Sequence, residues 1–338
     1  MNDTAVVILN YNGLGLLRKF LPSVLRFSGD ASVIVADNCS TDGSLEMLSS
    51  EFKSVKVIAM DRNRGFCGGY NHALKEIDAR YFVLLNSDVE VTDGWLQPLR
   101  EKMSADPQVA AVQPAIMSYQ EKDHFEYAGA AGGFIDELGY PFCRGRIFDH
   151  LEKNNGQYDT TRDIFWASGA CLAIRSELYH RMGGLDEDFF AHMEEIDLCW
   201  KLHRAGYRVA CVGQSKIYHV GGGTLAKSNP RKTYFNFRNG LSLIFKHFSP
   251  AEIWWKFPMR IILDWVAAIS FLFAGSGAHS AAVLRAHFHF FNHISKDWKK
   301  RRMLRQTLPG FRREQVLHGS VVVQYFLAGK RTFDRLGI

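Results

Sequence analysis

Apolar runs alternate with helical patterns along the first ninety residues of the chain. The first three runs are followed by polar or glycine-rich residues and then by apolar positions at helical spacing, such as Leu17, Leu21 and Val24 after the first run. After the third run, a glycine-rich turn is predicted over residues 62–69 and a helix around residues 71–77. Continuous apolar runs are typical of strands in a parallel sheet that is covered on both faces. The pattern therefore predicts a doubly wound α/β fold with helices on both faces. The predicted strands are Ala5–Leu9, Ser32–Ala36, Val55–Ala59 and Tyr81–Leu85.

Polar side chains follow each predicted strand directly. In open α/β sheets, ligands bind beyond the carboxyl ends of the strands, where loops and helix N-termini present backbone amides. Taken singly, each cluster is explained equally well by turn and helix-cap residues. Together, they favour convergence on one crevice of nucleotide size. The clusters are Asn10-Tyr11-Asn12, Asp37-Asn38, Asn63-Arg64-Gly65 and Asn86-Ser87-Asp88.

The second half of the chain is less regular. Residues 111–162 mix glycine, aromatic and charged residues, which predicts loops and short strands on the opposite wall of a cleft. A helix is predicted from Glu194 to Ala205 and a strand from Tyr207 to Val212.

The tail beyond Arg231 combines aromatic and basic residues. The apolar part of residues 254–273 is shorter than the roughly 20 residues that span a bilayer. Six Lys and Arg residues lie between Lys296 and Arg305. Aromatic helices beside basic clusters suit the surface of an anionic membrane. The alternatives are a helical hairpin packed on the rest of the chain, or a dimer surface with a solvated basic edge.

The composition is that of an ordinary folded protein. Of 338 residues, 47% are hydrophobic and 22% charged, with 9 prolines, which excludes disordered and collagen-like classes. The formal net charge of +6 is too small for this length to require a nucleic-acid partner. The 6 cysteines lie far apart and are interpreted as free thiols. Because the first residues also lack a basic start and an apolar signal core, we expect a reducing cytoplasm.

Asp88 is the first acidic residue with candidate chemistry. It follows the apolar run 81–85, where a charge is costly unless it is compensated. A divalent cation that also binds a diphosphate would compensate it. A helix N-cap at Asp88 would need no metal and is the alternative.

The predicted helix at Glu194 carries the other acidic residues. Glu194 and Asp197 share a face with Lys201, whereas Glu195 points about a quarter-turn away, so part of this acidic set is expected to face a cleft. The alternative is acidic residues that complement the dipole of a helix N-terminus. We expect Phe189-Phe190 to anchor the preceding turn in the core.

Six short motifs stand in sequence between residues 37 and 198: Asp37–Gly43, Asn63–Asn71, Leu85–Asp88, Gly169–Cys171, Gly183–Glu187 and Glu194–Leu198. In order and approximate spacing this set resembles family 2 glycosyltransferases, and it looks most like the bacterial branch of rhamnosyltransferases and other surface-polysaccharide enzymes. The resemblance covers about residues 4–240. It implies a GT-A fold, a nucleotide-sugar donor and inversion at the anomeric carbon.

The same resemblance implies roles for single residues. Asp88 and His219 would bind the metal, Mg²⁺ or Mn²⁺, since neutral imidazole is a competent ligand. Taken alone, His219 is better explained as an ordinary histidine at a strand end. The glycines Gly221–Gly223 would let a loop close over phosphate. The nucleotide-sugar site would consist of Asn10, Asp37, Asn38, Asn63, Gly65, Gly68, Asn71, Asn86 and Ser87.

Glu195 occupies the position of the family's catalytic base. It would accept the proton of the acceptor hydroxyl as that oxygen attacks the anomeric carbon. Asn86 begins the Asp-x-Asp-like element, Glu195 replaces the usual aspartate and Lys201 stands where arginine is usual, so a weakened or acceptor-shifted enzyme is left open. The sugar or acceptor pocket would be lined by Trp166, Ser168, Gly169, Ala170, Glu194 and Asp197.

The sequence thus predicts an inverting glycosyltransferase at the inner face of the plasma membrane, with a lipid-linked or polysaccharide acceptor. The expected parts are a nucleotide-sugar-binding half over residues 1–110, an acceptor-binding and catalytic half over 111–240, and a tail over 241–338 that contacts membrane or oligomerises. A homodimer is left open, and no nucleic-acid partner is expected. One alternative is a degenerate transferase that serves as a glycan-binding or scaffold subunit, which Asn86 and Glu195 favour. The other is a sugar-phosphate nucleotidyltransferase, although that class should carry a basic glycine-rich loop at Asn10–Gly13.

Overall fold

The four predicted strands form the parallel half of a nine-stranded mixed sheet. The computed structural model describes residues 3–221, 229–308, 310 and 314–338. Its strands are β1 Thr4–Asn10, β2 Ser32–Asp37, β3 Lys56–Ala59, β4 Tyr81–Asn86, β5 Val89–Val91, β6 Val109–Ser118, β7 Gly133–Asp136, β8 Pro141–Cys143, β9 Arg146–Ile147, β10 His150–Leu151, β11 Thr161–Ile164, β12 Cys171–Arg175, β13 Arg208–His219 and β14 Val316–Leu317. Its α-helices are α1 Leu14–Phe27, α2 Ser44–Glu51, α3 Gly65–Ala73, α4 Gln97–Ala105, α5 Ser176–Arg181, α6 Glu194–Arg204, α7 Pro230–His247, α8 Pro250–Phe273, α9 Gly277–Thr307 and α10 Val321–Phe326.

The register of the parallel half aligns the polar strand ends. The main sheet runs β11-β13-β6-β12-β4-β1-β2-β3, with β5 paired to β13. Asn10 of β1 lies opposite Asp37 of β2, and Leu9 lies opposite Asn86 of β4. The clusters after β1, β2 and β4 therefore meet at one edge of the sheet, as the α/β pattern predicted.

Alternate residues of the buried strands pack into two apolar layers. In β1, Val6 and Ile8 belong to the layer that contains Leu17 and Leu21 of α1. Ala5 and Val7 belong to the opposite layer, together with Tyr70 of α3. Both faces of the sheet are thus covered, which explains why its strands are apolar at every position rather than at alternate ones.

The second half of the sheet is mixed. β12 runs antiparallel to both β4 and β6, and β13 runs parallel to β6. A separate five-stranded sheet, β10-β9-β8-β7-β14, contains the short strands predicted within residues 111–162 and is joined by the C-terminal strand β14. That it forms one wall of a cleft stays a prediction. The structure does not test the predicted boundaries at residues 110 and 240, which stay a prediction.

Three local predictions were wrong. α3 begins at Gly65, whereas a helix was predicted only from about Asn71. Close packing, and not a turn, requires the glycine at position 69, because a Cβ there would lie 2.7 Å from Leu9. The strand predicted to end at Val212 continues to His219 after a shift in register. Phe190 is exposed, whereas Phe189 alone is buried in the core.

Helices α7, α8 and α9 pack against one another. Ser249 caps α8 in a reciprocal arrangement with Glu252. Within the described part of the chain, no helix combines the length and apolar character needed to cross a bilayer.

Candidate active site

Two side chains at the ends of β1 and β2 hold each other in place. The amide of Asn10 donates to the carboxylate of Asp37 over 2.8 Å, and the backbone N–H of Ser40 donates to the other oxygen of Asp37 over 2.8 Å. Asn10 and Asp37 are both fully buried. The carbonyl oxygen of the Asn10 side chain has no hydrogen-bond partner among the described residues. A Cβ at Gly13 would approach that oxygen to 2.5 Å, so glycine keeps the space beside it open.

Asn38 and Asn63 shape the glycine-rich loop. The Asn38 side-chain oxygen accepts from the N–H of Arg64 over 2.8 Å, and its amide donates to the carbonyl of Gly65 over 3.0 Å. The Asn63 side chain accepts from the N–H of Gly65 over 2.8 Å. Gly65 has a φ of +69°, which only glycine adopts at little cost. These contacts place the loop beside β2. That Asn38, Asn63 and Gly65 contact a nucleotide stays a prediction.

Asn71 and Gly68 both contact the turn that precedes α6. The Asn71 amide donates to the carbonyl of Leu185 over 2.8 Å, while its oxygen accepts from the hydroxyl of Tyr179 over 2.7 Å. A Cβ at Gly68 would lie 3.6 Å from the carboxyl group of Glu187. Asn71 is therefore engaged by protein groups, which tie α3 to residues 185–187, and its contact with a nucleotide stays a prediction.

Asp88 and His219 form the candidate metal pair. The Nε2 atom of His219 lies 3.0 Å from Asp88 and 3.4 Å from the amide of Asn86, while Nδ1 lies 3.2 Å from Glu126. Burial disfavours the charged imidazolium, but the hydrogen bonds to Asp88 and Glu126 and their negative charges raise the pKa of His219 to about 10. Sequence reasoning missed Glu126, whose approach depends on the fold because it lies far from His219 along the chain.

The chemistry of this pair fits a divalent cation. A carboxylate oxygen and an imidazole nitrogen 3.0 Å apart have the spacing of neighbouring ligands on an octahedral ion with bonds of about 2.1 Å. Binding would displace the proton that His219 shares with Asp88. The described residues contain no cluster of three or more acidic, His or Cys side chains arranged for a metal, so diphosphate oxygens would complete the coordination. Gly222 and Gly223 lie outside the described residues.

A strained segment precedes the candidate catalytic residues. Phe190, His192 and Met193 have φ values of 65°, 69° and 74°, which cost energy in residues other than glycine. The amide of Asn239 on α7 lies within hydrogen-bond distance of three carbonyls, those of Phe189 at 3.1 Å, Ala191 at 2.8 Å and His192 at 2.7 Å. This contact from α7 was not predicted, and it holds the start of α6 in position.

Glu194 and Glu195 begin α6, where Glu194 is buried and Glu195 is half-buried. One carboxyl oxygen of each has no hydrogen-bond partner among the described residues. Burial raises the pKa of Glu195 to about 7, despite backbone hydrogen bonds that lower it. Burial and then the charge of Glu195 raise the pKa of Glu194 well above its usual range. Glu194 is therefore held protonated, and Glu195 exchanges its proton near neutral pH.

The buried thiol of Cys143 relates Glu195 to the candidate metal pair. Burial raises the pKa of Cys143, and the charges of both Glu126 and Glu195 raise it further. The thiol is thus within electrostatic range of both carboxylates, and Glu126 in turn contacts His219. Contacts connect the start of α6 to this pair through the turn before β12: Gly169 lies against Glu194, and the carbonyl of Ala170 accepts from the N–H of Asn86, whose side-chain amide is 3.4 Å from His219.

The other predicted pocket residues have diverse surroundings. Asp197 is buried among Lys201, Lys246 and His247, so its contact with an acceptor stays a prediction. The indole of Trp166 packs on Gly133 and donates to the carbonyl of Phe134 over 2.9 Å. The following residues form the turn before β12: Ser168 accepts at its hydroxyl from the N–H of Ala170, and Gly169 lies against Phe66 and Glu194.

Residues 5–183 match the family described as glycosyl transferase family 2, and the chain belongs to that family. The resemblance drawn from the motifs is thereby confirmed, as is the assignment to the glycosyltransferases. The chain is 26% identical over 282 residues to N-acetylglucosaminyl-diphospho-decaprenol L-rhamnosyltransferase of Mycobacterium tuberculosis, which covers 75% of this chain and 87% of the relative. It is 22% identical over 244 residues to the low-salt glycan biosynthesis hexosyltransferase Agl10 of Haloferax volcanii, which covers 71% of this chain and 74% of the relative.

Solved structures confirm the predicted fold. GalNAc-T7 with UDP, GalNAc and Mn²⁺ superposes with a TM-score of 0.58 at 17% identity, over 72% of this chain and 48% of that one. The mannosyltransferase PcManGT from Pyrobaculum calidifontis in complex with GDP-Man and Mn²⁺ gives a TM-score of 0.51 at 15% identity, over 89% and 84%. At these identities the likeness shows the fold alone.

Proposed function

We propose that this glycosyltransferase moves a sugar from a nucleoside-diphosphate donor to a lipid-linked or polysaccharide acceptor of the cell surface, with inversion at the anomeric carbon. The observation that carries the proposal is the carboxyl group of Glu195, which has one buried oxygen without a partner among the described residues and a pKa of about 7. A carboxylate with this pKa can take a proton from a hydroxyl at neutral pH. The relatives named for rhamnosyl and hexosyl transfer support the substrate class.

Each part of the site has one task in this proposal. Asn10, Asp37 and the glycine-rich loop hold the nucleoside and its phosphates. Asp88 and His219 hold the divalent cation, which when bound offsets the negative charge of the departing diphosphate. Glu195 removes the proton of the acceptor hydroxyl on the face of the sugar opposite the leaving group. Protonated Glu194 adds no second negative charge beside that base.

Release of nucleoside diphosphate tests the transferase against the scaffold alternative. In a panel of sugar nucleotides with Mn²⁺, we expect slow donor hydrolysis for one base, abolished by a chelator. Asp88→Asn removes the charged ligand and should lower the rate at least about a hundredfold. Asp93→Asn is the matched control, because Asp93 is exposed outside the site. No hydrolysis of any donor with any metal would favour the scaffold subunit instead.

We further propose that α8 and α9 contact an anionic membrane. The polar and apolar sides of α8 are exchanged relative to an ordinary surface helix. Lys256, Arg260 and Asp264 are buried against the protein, whereas Trp265 and Phe273 are exposed. Of the nineteen exposed large apolar residues in the described part of the chain, fourteen lie on these two helices. We call the surface formed by these fourteen residues of α8 and α9 the aromatic face. Exposed cations lie beside it on α9 at Lys296, Lys299, Arg302 and Arg305.

Vesicle flotation tests the aromatic face. We expect binding to vesicles with anionic lipid, weaker binding to phosphatidylcholine alone, and at least about a tenfold loss in the double variant Trp265→Ser with Phe273→Ser, since each side chain buries apolar area in the lipid. Phe326→Ser, on exposed Phe326 of α10, is the control. Concentration-dependent dimerisation lost in the double variant, without vesicle binding, would assign the face to a second copy of the chain.

A further inference from the structure

Two arginines on the small sheet differ in how their charges are satisfied. Arg144 donates to the carbonyls of Ala131 at 3.0 Å, Tyr158 at 3.5 Å and Thr160 at 3.5 Å. Arg146 is only 9% exposed, yet its polar contacts are the sulfur of Cys143 at 3.4 Å and the carbonyl of Phe148 at 3.5 Å. Its Nε atom has no partner, and no described carboxylate lies within 4.0 Å of the guanidinium.

A buried cation with no carboxylate in direct contact is costly to maintain, although the nearby charge of Glu126 favours the charged form of Arg146. The thiol of Cys143 does not supply the missing charge, because burial raises its pKa and keeps it neutral. Guanidinium groups bind carboxylate and phosphate groups through two parallel hydrogen bonds. The environment of Arg146 therefore fits an oxyanion that the substrate would bring.

Arg146 lies close to the candidate metal pair, because it contacts the residue that follows Glu126. The Arg146 guanidinium lies 4.3 Å from the ring centroid of Tyr127, and Lys232 lies 5.4 Å from the same centroid. Tyr127 adjoins Glu126, which faces Nδ1 of His219, whereas Asp88 faces Nε2. Arg146 is thus linked through Tyr127 to Glu126, the residue that faces Nδ1, and no contact among the described residues links it to Asp88.

The same small sheet packs against the buried side of α8, whose opposite side belongs to the aromatic face. Next to β8, the hydroxyl of Tyr140 donates to Asp264 of α8 over 2.9 Å, and Arg260 donates to the carbonyl of Gly139 over 3.2 Å.

We infer that Arg146, with Lys232 near the same tyrosine ring, binds a phosphate group of the acceptor, the group that joins the acceptor sugar to its lipid. This inference rests on the proposed function and adds a specificity-determining residue to it. A donor phosphate has the same chemistry, so the experiment must separate acceptor binding from donor binding.

The test compares acceptors with and without phosphate. For Arg146→Gln we expect the KM for farnesyl-diphosphate-linked N-acetylglucosamine to rise at least about tenfold, because charge-assisted paired hydrogen bonds are lost. The KM for octyl N-acetylglucosaminide and the rate of donor hydrolysis should not change. Arg146→Lys keeps the charge but not the fork geometry and should give an intermediate KM. Arg162→Gln is the control, since Arg162 is a partly buried arginine of β11.

Several outcomes would overturn the inference. An unchanged KM for the phosphate-bearing acceptor, or an equal rise for both acceptors, removes the phosphate contact. A loss of donor hydrolysis assigns Arg146 to the donor instead. If neither variant folds, binding of farnesyl diphosphate to the wild-type chain, with the donor site filled by nucleoside diphosphate and Mn²⁺, decides: saturable binding supports the site and its absence refutes it. Absence of donor hydrolysis in the wild type would refute the proposed function, independently of this binding.

Discussion

Glu195→Gln lowers kcat by a factor of about 10² to 10⁴, the usual contribution of a general base, and leaves donor binding unchanged. Glutamine has the shape of glutamate but cannot accept a proton from the acceptor hydroxyl. The measurement is steady-state kinetics with the donor that the hydrolysis panel identifies, together with the shift in melting temperature on donor binding. Because Glu195 lies at the start of α6 and not in the nucleotide loop, the melting shift should match that of the wild type.

Two variants define the specificity of this effect. Glu177→Gln changes an exposed glutamate on α5 in the same way and should keep the wild-type kcat. Glu195→Asp retains the carboxylate and should retain a measurable part of the activity, although the group is displaced by about 1 Å. A kcat for Glu195→Gln within twofold of the wild type would mean that another group is the base.

The pH profile gives an independent check of the same residue. The pKa of Glu195 is raised to about 7, so the carboxylate is protonated below this pH and ionised above it. We therefore expect kcat to rise with pH through about 7 and to reach a plateau above it. In the Glu195→Gln variant the residual rate should lack this step. Burial and the charge of Glu195 raise the pKa of neighbouring Glu194 well above its usual range.

Lys246→Met lowers the free energy of unfolding by about 3–5 kcal/mol, as expected for removing one partner from a buried ion pair. The Nζ atom of Lys246 lies 2.7 Å from Asp186 and 2.7 Å from Asp197, and the side chain is almost fully buried. Without it, two carboxylates remain in the interior with less compensation. Urea unfolding followed by circular dichroism measures the change.

Lys300→Met is the matched control for this prediction. Lys300 on α9 also contacts Asp186, and it contacts Asp188 over 2.7 Å, but its side chain is 26% exposed. Solvent screens such a pair, so its loss should cost about 1 kcal/mol or less. Equal losses in both variants would show that burial of Lys246 does not set the size of the effect.

The local pattern was sufficient for those parts of the fold whose neighbours are close along the chain. The four apolar runs became β1 to β4, and the predicted helix from Glu194 became α6 within one residue. Predictions failed where a contact from elsewhere changed the local outcome. The glycines around Gly69 look like a turn but belong to a helix, because Leu9 of β1 packs against them.

The residues that complete the candidate site were out of reach of sequence reasoning. Glu126 beside His219, Asn239 beneath the strained segment and Lys246 between two aspartates each act across a large separation along the chain. None of them stands in a motif, and each is by itself an ordinary polar residue. Their roles depend on the approach of α7 and the small sheet to α6.

The amino-acid sequence by itself determined the strand and helix order, the edge at which polar loops gather and the family, because hydrophobic period and motif spacing are properties of consecutive residues. Only the tertiary structure decided which charges are compensated and which remain unpaired. Burial and partner distance set the pKa of Glu195 and isolate the guanidinium of Arg146, and both quantities arise from packing between segments that are distant along the chain.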